Sequence, residues 1–348
     1  MTKHSWSLTD GFGLDNLRRI EAPIPVPGPR DVLIEMRAAA LNYRDLVVID
    51  GKHGRAVQPP LVPLSDGVGR IAKLGNEVSD LAEGDRVSPC FFLNWPGGAP
   101  PVDLVTRRLG GPLDGTLTTH LVVPASAVVQ VPAHLSDNEA ATLPCAGLTA
   151  WSALQEPSPL RSGETVLILG SGGVALMALQ LAKAAGARVI MTTSSADRAA
   201  RLQQMGADMV IDRSVQPEWS RAARKATDGI GCDRVLELGG ARTLNDSLKA
   251  TRPGGVVILI GNVTGNEAPL FLPFVLSKRL TMQSVSVGSK QAFESMNRAL
   301  AYHRIHPVVG QVFAFDDAPK AFRALDRHEG FGNICVAITG PEADKPGL

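Results

Sequence analysis

The sequence predicts an α/β chain in which a doubly wound parallel sheet is combined with a smaller, irregular β-barrel-like domain. Three observations carry this reading. From residue 165 onward, apolar strand-like runs alternate with helix-spaced segments. The stretch before about residue 130 shows many short strand signals punctuated by Gly and Pro. A chain of 348 residues also exceeds one ordinary domain.

The elements follow in order. Asp31-Val32-Leu33-Ile34 opens a strand-like run through Ala40, and Gly67–Gly75 reads as a strand ending in a turn. Gly84–Val87 and Thr119–Pro124 look similar, and strands this short, separated by turn residues, suit a small barrel. The stretch 91–115, dense in Gly and Pro and carrying Phe91, Phe92 and Trp95, reads as a long loop serving as a lid or an interface. Thr165–Leu169 is an apolar buried strand, followed by a Gly-rich turn, an Ala-rich helix over 175–185 and a second strand over 188–193. Further alternation predicts helices over 197–205, 217–227 and 243–251, with strands over 208–212, 233–238 and 255–261. An edge strand over 279–287, helices over 290–303 and 318–327, and a last strand over 333–338 returning to the first domain complete the pattern. The expected domains are 1–128 (barrel-like), 129–275 (nucleotide-binding) and 276–348 (edge strand and return), with 340–348 a frayed polar tail.

Composition narrows the partners. Lys plus Arg is 35 and Asp plus Glu is 34, a formal charge of +1, which argues against nucleic acid or an acidic membrane as partner. No apolar run is long enough for a membrane span and the first residues lack an apolar signal core, so a cytoplasmic protein is expected. Cys90, Cys145, Cys232 and Cys335 lie at least 55 positions apart, which excludes CxxC zinc or redox pairs and fits a reducing compartment. Tyr43 and Tyr302 are the two tyrosines, so a phenolic proton donor has two candidates.

Gly170-Ser171-Gly172-Gly173-Val174-Ala175 has the form G-x-G-x-x-A between a predicted strand and helix. The first Gly allows a tight turn, the second lets backbone approach a pyrophosphate, and the helix N-terminus attracts the phosphate charge. Strand, turn, helix and second strand fall in register, which makes the signal specific for a dinucleotide. A site for NADH usually ends the second strand in Asp or Glu, whereas this chain has Thr192-Thr193-Ser194-Ser195 with Arg198 beyond. Hydroxyls and a guanidinium suit a 2′-phosphate, so NADPH is expected over NADH. Asp197 reads as an acid in the first turn of a helix. Arg213 stands as either a second cation for the phosphate or a solvated surface charge.

With these motifs in place, the chain resembles the medium-chain dehydrogenase/reductase superfamily from Ala22-Pro23-Ile24-Pro25 to Ile338. The resemblance rests on Ala39–Asp45, Pro63–Gly69, Leu143–Trp151, the Gly-rich turn and Arg252-Pro253-Gly254-Gly255. It points to the zinc-free, quinone oxidoreductase-like branch, also labelled zinc-type alcohol dehydrogenase-like. A Rossmann sheet with a GroES-like irregular β-barrel follows from it. Zinc-dependent relatives carry a Cys in the first motif, a His-Glu pair in the second and a later Cys or acid. Here Asn42 takes the first position, Ser65-Asp66 the second and Cys145 the third. One soft ligand cannot hold Zn²⁺, so no metal is expected.

Without a Lewis acid, alcohol oxidation becomes the harder direction. Hydride transfer to a quinone or an alkene conjugated to a carbonyl is easier, because charge lands on an oxygen that hydrogen bonds can stabilise. Asn42 is the first candidate for orienting the nicotinamide ribose or the acceptor oxygen, and it also suits a helix cap. Tyr43 stands as a proton donor or as an aromatic packed beside the cofactor. Thr149 is a candidate nicotinamide contact, and Cys145 reads as a packed thiol. The resemblance further implies cofactor contacts at Gly239, at Gly261, Asn262 and Val263, at Val285 and Val287, and at Asn333. Relatives often place a Lys where Asn333 stands, which removes one phosphate contact.

The expected activity is therefore NADPH-dependent, zinc-independent reduction of a small-molecule quinone, enone or carbonyl. A zinc-free alcohol or aldehyde dehydrogenase and a nucleotide-binding protein without turnover are the competing readings. The apolar segment 269–276 and the strand around 280–287 resemble the edge through which relatives pair, so a homodimer is expected.

Overall fold

The computed structural model describes residues 2–338, so the tail expected over 340–348 lies outside the described residues. Two compact units emerge from the contacts: one holds the chain up to Leu148 and again from Val287, the other Thr149–Ser286.

The first unit opens with β1 (Thr2–Leu8) and β2 (Leu17–Pro23), an antiparallel ribbon in which Thr2 faces Pro23. Next come β3 (Asp31–Leu41), α1 (Tyr43–Ile49), β4 (Asp66–Leu74), β5 (Arg86–Pro89), β6 (His120–Pro124) and β7 (Val128–Gln130). β3 is the spine. It pairs antiparallel with β4 and β6, and its register against β4 shifts at Leu33/Ile34 and Met36/Ala38. Such shifts bend a strand enough to serve several partners. Gly69 is required where β4 crosses this bend, because a Cβ there would lie 2.3 Å from the Glu35 carbonyl oxygen. Ile34, Met36, Leu64 and Leu117 fill the core at 0% exposure, and each such burial contributes roughly 1.5–3 kcal/mol. α2 (Asp137–Ala141) starts at Ser136, whose hydroxyl accepts the Glu139 N–H while Glu139 Oε2 accepts the Ser136 N–H. A π-helical turn over Leu143–Gly147 follows.

The second unit runs through α3 (Leu148–Gln155, entered from the other unit), β8 (Thr165–Leu169), α4 (Gly173–Ala184), β9 (Arg188–Thr193), α5 (Ala196–Gln204) and β10 (Met209–Asp212). It continues with α6 (Trp219–Lys225), β11 (Cys232–Glu237), α7 (Leu244–Ala250), β12 (Thr251–Leu259), α8 (Leu272–Lys278) and β13 (Thr281–Ser284). The six strands form one parallel sheet in the order β10-β9-β8-β11-β12-β13. The order reverses between β8 and β11, which is the switch point where such sheets take their ligand. Leu167, Ile190, Val235 and Val257 are fully buried, as strands covered on both faces require.

The chain then returns through α9 (Lys290–His303), β14 (Val309–Ala314), α10 (Ala318–Asp326) and β15 (Asn333–Ala337). β15 pairs antiparallel with β3, Ile334 facing Leu41, and closes the order β14-β15-β3-β4-β5-β7 with β6 also on β3. The last strand rejoins the first unit, as the sequence predicts.

The domain limits differ from expectation. Position 129 falls inside β7, which pairs with β5 and belongs to the first unit. Position 276 falls inside α8, and β13 beyond it pairs with β12 as the edge strand expected of that segment. In both places an ordered element, and not a linker, spans the expected boundary. β12 starts at Thr251, four residues early, because Arg252-Pro253-Gly254-Gly255 bulges within the strand instead of preceding it.

Candidate active site

In the second unit, β8 ends at Leu169 and the chain turns at Gly170, whose φ of 84° lies in the region that favours glycine. The Gly170 N–H donates to the Thr192 carbonyl at 2.9 Å, which ties the turn to the end of β9. Gly172 is the N-cap of α4, and no side chain caps the first N–H groups of that helix. A Cβ at Gly170 or Gly172 would meet no atom within 4 Å. The turn thus faces open space with unsatisfied backbone donors, a cradle that fits a pyrophosphate. Ser171 is buried, and Gly173 and Val174 begin the helix.

The end of β9 carries Thr193, buried, and Ser194, exposed. Ser195 caps α5 by accepting the Arg198 N–H at 3.4 Å. Thr192 Oγ1 is buried without a hydrogen-bond partner, and so is Arg213 Nε. Arg213 is half-buried at the exit of β10, and its backbone N–H donates to the Thr193 carbonyl at 2.7 Å. The carboxyl of Asp212 turns to Ser214, accepting its hydroxyl at 2.6 Å and its N–H at 2.9 Å. Those bonds lower its pKa.

Beyond the switch point, Gly239 follows β11, while Gly261, Asn262 and Val263 follow β12, with Val263 40% exposed. Val285 is buried and donates its N–H to the Leu259 carbonyl at 3.0 Å. Thr149, buried, begins the second unit. Two expected cofactor residues belong to the other unit. Val287 opens its returning segment at φ 60°, a strained value for a β-branched residue. Asn333 lies in β15 and spends both its backbone N–H and its Nδ2 on the Val308 carbonyl, at 2.9 and 3.0 Å.

In the first unit a polar cluster surrounds the start of α1. Asn42 caps the helix, and its N–H donates to Asp45 Oδ2 at 2.8 Å. Asp45 is fully buried and pairs through Oδ1 with Arg44 Nη1 at 3.0 Å. Burial raises the Asp45 pKa against the pull of Arg44. Arg44 also donates to the Gly110 carbonyl at 3.1 Å and lies 5.1 Å over the Phe91 ring, so it staples the 91–115 loop to α1. That loop is folded by bridges between Phe92 and Arg108 and between Leu109 and Leu113.

Asp66 enters the sequence reading only as part of the pair that replaces a zinc motif, and the structure gives it a distinct environment. It is fully buried at the start of β4, and Ser65 Oγ donates to its Oδ1 at 3.2 Å. Burial pushes its pKa up to about 7; the Asn42 amide, the Cys145 backbone N–H and Ser65 pull it down, while Asp45 adds to the rise. The Asn42 amide lies near enough to act on this carboxyl. Even so, neither Asn42 Nδ2 nor Asp66 Oδ2 completes a hydrogen bond. Tyr43, 37% exposed, is the first residue of α1.

The donor set does not fit zinc. Asn42, Ser65 and Asp66 stand where the zinc branch carries thiolate and imidazole, and Cys145 is a single soft donor. Among the described residues no group of three or more His, Cys, Asp or Glu could hold a metal ion.

Similarity to known proteins accords with these parts. Residues 28–133 match the family model for an alcohol dehydrogenase GroES-like domain, and residues 173–301 match that for a zinc-binding dehydrogenase. The chain is 38% identical to a zinc-type alcohol dehydrogenase-like protein of Schizosaccharomyces pombe, over 94% of this chain and 96% of the other. The chain belongs to the medium-chain dehydrogenase/reductase superfamily. As a member of that superfamily it is an oxidoreductase. It is similar to the acryloyl-coenzyme A reductase of Metallosphaera sedula, 32% identical over 90% of this chain and 93% of that one. A solved structure from Sinorhizobium meliloti, described as a candidate alcohol dehydrogenase, superimposes with a TM-score of 0.91 at 36% identity, covering 97% of this chain and 99% of the other.

Proposed function

We propose that this oxidoreductase uses NADPH to reduce a small quinone or an alkene conjugated to a carbonyl, without zinc. The observation that carries the reading is the donor set around Asn42: an amide, a hydroxyl and a buried carboxyl where zinc-dependent relatives have metal ligands. Acryloyl-coenzyme A, named for one similar protein, is an alkene conjugated to a thioester carbonyl, the same electronic class.

NADPH, when bound, supplies the hydride. The backbone donors of Gly172 and Gly173 receive the pyrophosphate, and Ser194, Arg198 and Arg213 receive the 2′-phosphate. Asn42 offers its amide to the acceptor oxygen, where a donor stabilises the charge that develops. Tyr43, partly exposed beside it, donates the proton that completes reduction.

Exposed apolar residues at the cap and along α8, Phe271 at 50%, Leu272 at 55% and Leu276 at 72%, support pairing of two chains as a homodimer. Light scattering after gel filtration reads the mass directly, and a monomer would remove this part. Among the described residues no helix is long and apolar enough to cross a membrane. No disulfide is seen among the described residues, which suits a reducing, cytoplasmic setting.

A second reading, a zinc-free alcohol or aldehyde oxidoreductase, draws on the alcohol dehydrogenase descriptions of two similar proteins. Offering NADPH with a quinone, an enone and an aldehyde in turn separates the two. Consumption with the aldehyde alone favours the second reading.

A further inference from the structure

Glu237, the last residue of β11, is 1% exposed and no proposed step uses it. Its carboxyl nevertheless gathers four donors. Oε1 accepts the N–H groups of Gly239 and Gly240 at 2.7 and 2.8 Å and the Thr243 hydroxyl at 2.5 Å. Oε2 accepts the Ser247 hydroxyl of α7. The Glu237 carbonyl oxygen accepts the N–H groups of Ile260 and Gly261 at 3.0 and 3.1 Å. Thr264 then donates both its N–H and its hydroxyl to the Gly239 carbonyl, each at 2.8 Å. One residue thus ties together the loops that leave β11 and β12.

The packing leaves those loops no slack. A Cβ at Gly239 would lie 2.4 Å from Thr243 Oγ1, and one at Gly261 would lie 2.3 Å from the Leu238 carbonyl oxygen. Sheet order places these loops on the far side of the switch point from β9 and β10. A dinucleotide laid across such a sheet puts its adenosine half over the β9 side and its other half over the β11 side.

We infer that Glu237 is a positioning residue for the nicotinamide half of the cofactor, holding the 238–243 and 261–265 loops in place without touching the ligand. The inference rests on the reading that the Gly170–Val174 turn holds NADPH. Glutamine is the informative replacement, because it keeps the shape but sets an NH₂ group against a neighbouring donor.

The experiment is calorimetric titration of wild type and Glu237→Gln with NADPH and with 2′,5′-ADP, which lacks the nicotinamide half. Expected is at least about a tenfold rise in Kd for NADPH, with 2′,5′-ADP changed by less than about twofold. Equal weakening of both ligands, or no change in either, overturns the inference. Should Glu237→Gln fail to fold, Thr243→Val and Ser247→Ala decide in its place. Each removes one donor, and each is expected to weaken NADPH alone. Wild type that binds neither ligand removes the underlying reading and the inference with it. Wild type that binds both, beside a variant that binds both equally well, removes the inference alone.

Discussion

Arg213 donates its backbone N–H to the carbonyl of Thr193 at 2.7 Å, which anchors the Arg213 main chain to the end of β9. Its Nε is buried and unpaired, a cost of about 1–3 kcal/mol that a bound anion would relieve. Arg213→Ala is therefore expected to raise the KM for NADPH about tenfold and to leave that for NADH within about twofold. Arg198→Ala should shift the same ratio in the same direction. Steady-state kinetics with both cofactors check this, and equal effects on the two would remove these cations from a 2′-phosphate site.

Gly172 separates binding from folding. Its Cβ position is open and its φ of −81° is ordinary for any residue. Gly172→Ala should change stability by less than about 0.5 kcal/mol, while the added methyl occupies the approach of the pyrophosphate. Thermal melts should coincide with wild type, and fluorescence titration should show NADPH affinity falling at least about tenfold. A variant that binds normally would mean the turn is a connector only.

Asp66 makes stability depend on pH. The unfolded carboxyl ionises near 3.8, whereas burial holds the folded one protonated up to about 7. Between those values the folded chain binds the extra proton, so this group's contribution is full below pH 3.8 and is lost as pH rises through about 7. Asp66→Asn removes that loss. Relative to wild type it should gain stability with rising pH between those values, reaching roughly 4 kcal/mol above neutrality. Denaturant melts of both proteins across this range test it, and parallel curves would show that Asp66 ionises at its ordinary value.

Tyr43 carries the proposed proton and is exposed enough to reach a ligand. Tyr43→Phe should lower kcat about a hundredfold with an enone and leave the Kd for NADPH unchanged. An unchanged kcat would leave Tyr43 a packing role and pass the proton to solvent.

The alternation from β8 to β12 is legible in sequence because parallel strands buried on both faces are continuous apolar runs, as in Val166-Leu167-Ile168. The turn at Gly170 is legible because its glycines answer a backbone need. β1 and β2 are not, since a two-stranded ribbon with exposed Arg18 and Arg19 carries little apolar period. Nor is β7, three residues long and defined only by its partner β5. The acids divide the same way. Asp45 and Asp66 stand in sequence only as members of two family motifs, and Glu237 looks like the end of a strand. Only the approach of Asn42, of Cys145 and of the Gly239–Gly240 backbone gives each its environment.

Hydride transfer to an activated acceptor without a metal is the central claim. Its most direct measurement is NADPH consumption with an enone, by protein dialysed against a chelator, before and after zinc is added back. The predicted result is turnover that survives chelation and does not respond to zinc. Turnover lost on chelation and restored by zinc, or consumption with an aldehyde but with no enone or quinone, would contradict it.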